Sequence, residues 1–529
     1  MKGIDNSNIQ QRSQRNCCLF LSYIFLSLLL TLCGRLTYGD EPSIDVTVTV
    51  DFGKDLGQNL GTLFEATDDQ GQRIFGAGFT SVYNSYYRGE RYKLQFYIRP
   101  PQQKCRHEIK PIARAGTNAS IFLYDLGEQV YANQGSKGGL QQWNSSQQKW
   151  SLVDTEKPHG SSASTVRGKI LAWFDSGLMH GDQKIFSQPS DAEYKYYYYG
   201  QGHLFFFRKT MSIAGRVDKS LVAVRWSPYA ENLNVDLSLA KTLTINSIEV
   251  FPYSWGQYGN ETLTCFNYGG VYTFDGHRWK TLIEPSTQTS NQIYSMIYYQ
   301  DRLLMGQYPS GMLFEYSGNQ VRMLENSPPI PAAASPSVRE AQTTGIYRGE
   351  LFVGVWPWAE LWRLNPDTSQ WNQLGRLFTH PQVHSVPVHP YEAEAKSNGL
   401  VINDLGQRVT GMIPHNDSLL IGTSWKMGSK IYGVDRFDFL TPQQRKEYGV
   451  VHQLRMPGNL VSILSWQDEP TTLRFVVKEG RMAISQDGRD LATVKINSAL
   501  FVDLPKTTIR WGQGVFGPLN GTLTAVNMK

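Results

Sequence analysis

YYQDRLLMG (298–306), IYRGELFVG (346–354) and MIPHNDSLLIG (412–422) are three versions of one short pattern. Each places a polar turn before an apolar strand that ends in glycine. After a gap comes a second strand carrying an aromatic: Leu313-Phe314-Glu315-Tyr316, Leu361-Trp362-Arg363-Leu364 and Ile431-Tyr432-Gly433-Val434. A fourth copy starts at Leu263, after the turn Gly259-Asn260-Glu261, and leads to Val271-Tyr272-Thr273-Phe274. A turn between two apolar runs makes a hairpin, and a strand-ending glycine lets a second backbone approach closely. Recurrence at roughly 40 to 50 residues is the period of β-propeller blades. The fold class is therefore all-β: a propeller of about five to seven blades with an additional β-sandwich-like or hairpin segment. The alternative is a stack of unrelated hairpins.

A tryptophan follows the second strand in several copies. Trp279 comes after Asp275-Gly276, and Trp371 after Asn365-Pro366-Asp367. Leu140 to Trp150 repeats the offset of Leu361 to Trp371 and extends the repeat upstream. The pattern resembles kelch-type blades, although a Gly-Gly pair stands only at Gly138-Gly139 and Gly269-Gly270. Thr273 to Trp279 is similar to the Asp-box turn of sialidase-type propellers, a structural turn in that family. No arginine triad for a sialic carboxylate stands out.

The ends of the chain differ from its middle. VTVTVDF (46–52) alternates, as does TTLRFVVKEGRMAISQDGRDLATVKI (471–496). The closing stretch TIRWGQGVFGPLNGTLTAV (508–526) resembles the last strands of a laminin-G or concanavalin-like jelly roll. It is too short for a whole sandwich, so residues 40–100 and 441–529 are expected to pair across a propeller at 101–440. The alternative is a further blade or an appended hairpin.

Residues 17–33, CCLFLSYIFLSLLLTLC, follow Arg12 and Arg15 and precede small residues at Thr37 and Gly39. They predict a signal peptide over 1–39, hence a secreted, periplasmic or cell-surface protein. An uncleaved leader would be the one membrane contact. Cys105 and Cys265 then remain, and export permits but does not require a bond between them. Five Asn-x-Ser/Thr sites stand at Asn118, Asn144, Asn260, Asn416 and Asn520. A net charge of +5 with 18% charged residues lacks the clustered basic face of a nucleic-acid binder.

Short catalytic signatures are missing. His107-Glu108 fails as a zinc-protease helix because Pro111 occupies the second histidine's place. His380, His384 and His389 lie in a proline-rich insertion, 377–408, that fits no blade. They are the one candidate metal set, a divalent ion being possible and no other cofactor expected. Trp356 and Trp358 are read as loop tryptophans for ligand contact. Tyr196 and Tyr198, in the densest aromatic run, are candidates for stacking on sugar rings. The expected function is binding of an extracellular ligand, a glycan before a protein. The alternatives are a polysaccharide hydrolase or lyase with its site in the channel, and a structural envelope or matrix protein.

Overall fold

The computed structural model describes residues 43–80, 89–99, 106–117, 119–134, 139–153, 163–211, 217–288, 291–331, 338–380, 391–425, 440–497 and 507–528. The expected leader, Cys105, Asn118, His384, His389 and the stretch 431–434 lie outside them. Among the described residues, no helix is long and apolar enough to cross a membrane.

Seven four-stranded antiparallel sheets are described, and they follow one another around a ring. Blade 1 runs from Phe122–Leu126 to Lys149–Leu152, blade 2 from Ser164–Val166 to Gln183–Phe186, and blade 3 from Ala192–Gly200 to Lys241–Thr244. Blade 4 runs from Pro252–Tyr258 to Trp279–Ile283, blade 5 from Gln292–Tyr299 to Val321–Met323, and blade 6 from Glu340–Tyr347 to Trp371–Arg376. In each, the first strand is innermost. Blade 7 is built from both parts of the chain. Arg408–His415, Ser418–Ser424 and Val451–Arg455 supply its inner strands, and Glu108–Pro111 closes it from outside. The propeller thus extends to Arg455, past the boundary at 440 that the composition change suggested.

The repeat motif is the contact between neighbouring blades. A Cβ on Gly306 would stand 2.3 Å from the Ala341 carbonyl oxygen of blade 6. On Gly354 it would meet the Val409 Cβ of blade 7 at 2.3 Å, and on Gly422 the Leu123 Cγ of blade 1 at 2.7 Å. The glycines are therefore demanded by packing between inner strands. In blade 4 the register shifts the alignment by one. Ser295 pairs with Gly306, and its equivalent Ser254 pairs with Cys265. Cys265 thus fills the glycine's place. It is a buried free thiol whose sulfur accepts the N–H of Ile293 in blade 5 at 3.3 Å.

The tryptophans do a second repeated job. The indole N–H of Trp150, Trp279 and Trp371 donates to Ala113, Lys241 and Asn326 oxygens at 2.8, 3.0 and 3.3 Å. Each acceptor lies in or just beyond the outer strand of the preceding blade. The Asp-box-like turn is structural too, since Asp275 accepts the N–H groups of His277 and Arg278 at 3.0 and 2.9 Å.

Both ends of the chain form a second unit. One sheet has the order Arg489–Lys495, Arg481–Gln486, Thr471–Lys478, Ile44–Asp51, Asn520–Met528. The other has the order Asn459–Ile463, Lys93–Ile98, Arg73–Phe79, Thr62–Thr67, Thr508–Gly514, Gly517–Pro518. The alternation of VTVTV turns Val46, Val48 and Val50 inward onto Phe64, Phe75, Phe96 and Phe475, all fully buried. Phe475 sits between Phe64 and Phe96, at 5.2 and 5.4 Å.

This sandwich rests on the inner hairpin turns of the blades. Those turns hold residues of positive φ, Gln300-Asp301 and Arg348-Gly349 among them, as two-residue hairpins require. Arg99 donates to the Arg348 and Gly349 carbonyls at 3.1 and 2.7 Å. The Gln95 amide closes a pair of bonds on Ile346 and Arg348, both 2.9 Å. Gln257 does the same from blade 4 to Gly57 and Asn59, at 2.7 and 2.9 Å. At the centre of the contact lies Asp55, fully buried, which accepts from Arg91 at 2.7 and 2.9 Å and from the Arg167 N–H at 2.6 Å.

Candidate functional site

The sandwich takes one end of the ring, which leaves the far rim, where the innermost strands begin, as the place for a ligand. A repeated irregularity marks that rim. Four innermost strands carry a β-bulge within their first three residues, between Pro252 and Ser254, Ile293 and Ser295, Ala341 and Thr343, and Val409 and Gly411. In blade 3 the bulge comes later, between Lys195 and Tyr198, and holds two residues. Bulges re-aim side chains and concentrate beside functional sites. Here they place Tyr196, Tyr253, Tyr294, Gln342 and Thr410.

The aromatic members form a continuous row across blades 3, 4 and 5. Tyr196 lies 6.1 Å from Phe251, Phe251 lies 5.1 Å from Tyr253, Tyr253 lies 4.5 Å from Tyr294, and Tyr294 lies 6.3 Å from Tyr308. All but Tyr294 are partly exposed. Beside the row, blades 6 and 7 bury the ion pair of Glu340 and Arg408. Glu340 accepts from Arg408 Nε and Nη2 at 2.6 and 3.0 Å and from Asn403 at 3.1 Å. The Arg408 guanidinium also lies over the Trp356 ring, 4.9 Å from its centre. The Tyr294 hydroxyl donates to the Gln292 side-chain oxygen at 2.9 Å, and burial with the Glu340 charge holds both tyrosines above the ordinary phenol range. They are neutral donors and acceptors at physiological pH.

Behind the rim, between blades 3 and 4, the buried Glu249 accepts the N–H groups of Tyr268 and Gly270, both at 2.9 Å. Burial raises its carboxyl from the ordinary 4.5 to about 7. The folded chain therefore binds a proton there that the unfolded chain has released, and stability falls as pH rises through that window, from 4.5 to about 7. Glu249→Gln is expected to flatten this part of the stability curve, read as urea midpoints between pH 5 and about 8.

The residues singled out from the sequence separate here. Trp356 and Trp358 are 0% and 1% exposed, so neither is an open loop tryptophan. The insertion at 377–408 explains this. It folds back as Glu392–Ser397 and Ile402–Asp404 and buries Phe378, Tyr391 and Leu405 over blades 6 and 7. Trp356 donates to the Leu405 carbonyl at 2.7 Å, and Arg376 covers Trp358 at 4.7 Å. Tyr198 is buried and stacks flat on Trp255, 5.6 Å between centres. Tyr196 joins the rim row. His380 is half-buried, its Nδ1 2.8 Å from the Gln444 amide nitrogen. Among the described residues, no three His, Cys, Asp or Glu side chains are placed to hold a metal. Tyr253, Tyr294 and Tyr308 had no sequence signal beyond their aromaticity, because a bulge has no fixed motif.

No protein-family model matches the chain, and no curated protein matches it. Three solved structures are similar in architecture. YCF48 bound to a D1 peptide has 10% identity and a TM-score of 0.34, covering 67% of this chain and 98% of its own. PorZ, a bacterial surface component of the type-IX secretion system of Porphyromonas gingivalis, has 9% identity and a TM-score of 0.22, covering 82% and 64%. A mutant Trypanosoma rangeli sialidase displaying trans-sialidase activity has 11% identity and a TM-score of 0.23, covering 91% and 95%. At these values the likenesses carry no residue roles.

Proposed function

We propose that this chain is an exported or cell-surface propeller protein that binds a glycan at the far rim of its ring. The observation that carries the reading is the unbroken row of five rings, Tyr196, Phe251, Tyr253, Tyr294 and Tyr308. Sugar rings present C–H faces that pack on aromatic faces, while phenol hydroxyls bond the sugar hydroxyls. The leader expected from the sequence at 1–39 would bring the chain to that compartment.

Replacing Tyr253 and Tyr294 together by alanine is expected to weaken binding of any glycan the chain captures by at least about tenfold, the loss of one or two stacked rings. A glycan array followed by calorimetry on the hits checks this. Unchanged affinity in the double variant would move the site elsewhere.

A hydrolase or lyase is the second reading. It is favoured by the tyrosine pair lying beside the Glu340 charge. Against it, Glu340 already accepts three hydrogen bonds from Arg408 and Asn403, which leaves it a poor proton shuttle. Chromatography of the bound oligosaccharides after prolonged incubation decides between the two: intact chains support binding alone, shortened or unsaturated ones the enzyme.

A further inference from the structure

A second concave surface lies on the flank of the molecule, away from the far rim. Two adjoining grooves of about 420 and about 360 Å³ share Gln129, Trp143 and Ser145. The larger runs between blades 1 and 7 and the sandwich. The smaller continues along the outer strands of blade 1, past Gln142, Asn144 and Ser151. On the sandwich side the wall consists of Asn459–Ile463 and Arg489–Lys495, the terminal strands of the two sheets. A terminal strand presents backbone N–H and C=O groups that no neighbouring strand has taken; in Asn459–Ile463 the Val461 N–H already donates to the Asn416 carbonyl at 2.9 Å. Clefts between domains are favoured places for ligands.

The chemistry of the lining is selective. Amides and hydroxyls share it with apolar side chains, and among the described lining residues only Lys93 and Glu128 are charged. The Lys93 ammonium is already committed to the Asp125 carboxylate and to the Pro414 carbonyl at 2.7 Å. His415 is neutral, because burial and then the Lys93 charge push its imidazole down to about 4. An acidic sugar would find no free cation here. A peptide would lack the deep apolar pocket that usually anchors one. An amide offers a donor and an acceptor side by side, which suits a hydroxyl that both gives and takes a hydrogen bond.

We propose that this flank groove is a separate carbohydrate site that takes an extended, neutral oligosaccharide. Gln142 donates its amide N–H to the Gln129 side-chain oxygen; the Gln129 NH2 and the Gln142 oxygen contact the sugar hydroxyls, and the edge of Arg489–Lys495 forms the opposite wall. The proposal stands apart from the rim reading and survives its failure.

The test uses the full chain and hexasaccharides: glucans of both linkages, xylan, mannan and chitin as neutral probes, and hexagalacturonate as the acidic one. Variants are Gln129→Ala with Gln142→Ala, Thr493→Arg to obstruct the wall from an exposed position, and Tyr253→Ala with Tyr294→Ala at the rim. At least one neutral hexaose is expected to bind. Its affinity should fall at least about tenfold in the glutamine pair and in Thr493→Arg, and stay within about twofold in the rim pair. Thr493→Arg decides the matter if the glutamine pair misfolds. Binding of no neutral hexaose, binding indifferent to the groove variants, or a groove that takes only hexagalacturonate would overturn the proposal.

Discussion

Replacing Asp55 by alanine is expected to destabilise the protein by about 3–5 kcal/mol, the usual result of stripping one partner from a buried charge pair. The carboxylate is 0% exposed and is the meeting point of three segments. It takes two bonds from Arg91, one from the Arg167 N–H in the first hairpin of blade 2, and one from the Tyr92 hydroxyl. It also accepts the Gly57 N–H at 3.0 Å, which shapes its own loop. Without it the Arg91 guanidinium is left in a low-dielectric contact with neutral partners, the Gln58 and Thr165 carbonyls and the Tyr92 hydroxyl. The loss should fall on the joint between sandwich and ring. Two unfolding transitions are therefore expected where the parent shows one, followed by calorimetry. Adding Arg91→Met should recover part of the loss, since removing both partners is less harmful than removing one. A single transition at the parent temperature in Asp55→Ala would show that the pair does not couple the two units.

Gly354→Val is the second large effect, about 3 kcal/mol or more, at the upper end of what overpacking costs. The clash is with the Val409 side chain on the next inner strand, which is itself fully buried and fixed in the blade 7 core. Neither strand can withdraw without separating blades 6 and 7. The same substitution at Gly259, whose Cβ would meet nothing within 4 Å, tests backbone strain alone at its φ of +53°. Guanidinium midpoints of the two variants separate the terms: a Gly354→Val variant no less stable than Gly259→Val would refute the packing account.

These glycines show what the sequence makes legible. A turn followed by Leu-x-x-Gly recurs because every inner hairpin meets the same two demands, a left-handed turn under the sandwich and a bare backbone against the next blade. Where a blade meets them with other residues, the pattern fades. Cys265 replaces glycine in blade 4, and Asn133 and Trp173 stand in its place in blades 1 and 2, so counting from the motif alone gives a range. The pairing of the chain ends was visible in their alternation. The rim was not. Trp356 and Trp358 follow a strand and flank a proline, which locally describes a loop, but the insertion that covers them comes from 377–408. The tyrosine row depends on bulges, and these are properties of strand register rather than composition.

Ile44–Asp51 lies between Thr471–Lys478 and Asn520–Met528, and Glu108–Pro111 waits for Val451–Arg455. During synthesis these two strands must therefore stay unmatched until the rest of the ring has emerged. Contacts this distant along the chain make folding slow, and strands left bare meanwhile invite clumping. Refolding yield should therefore drop as protein concentration rises, because bare edges meet one another before their own partners arrive.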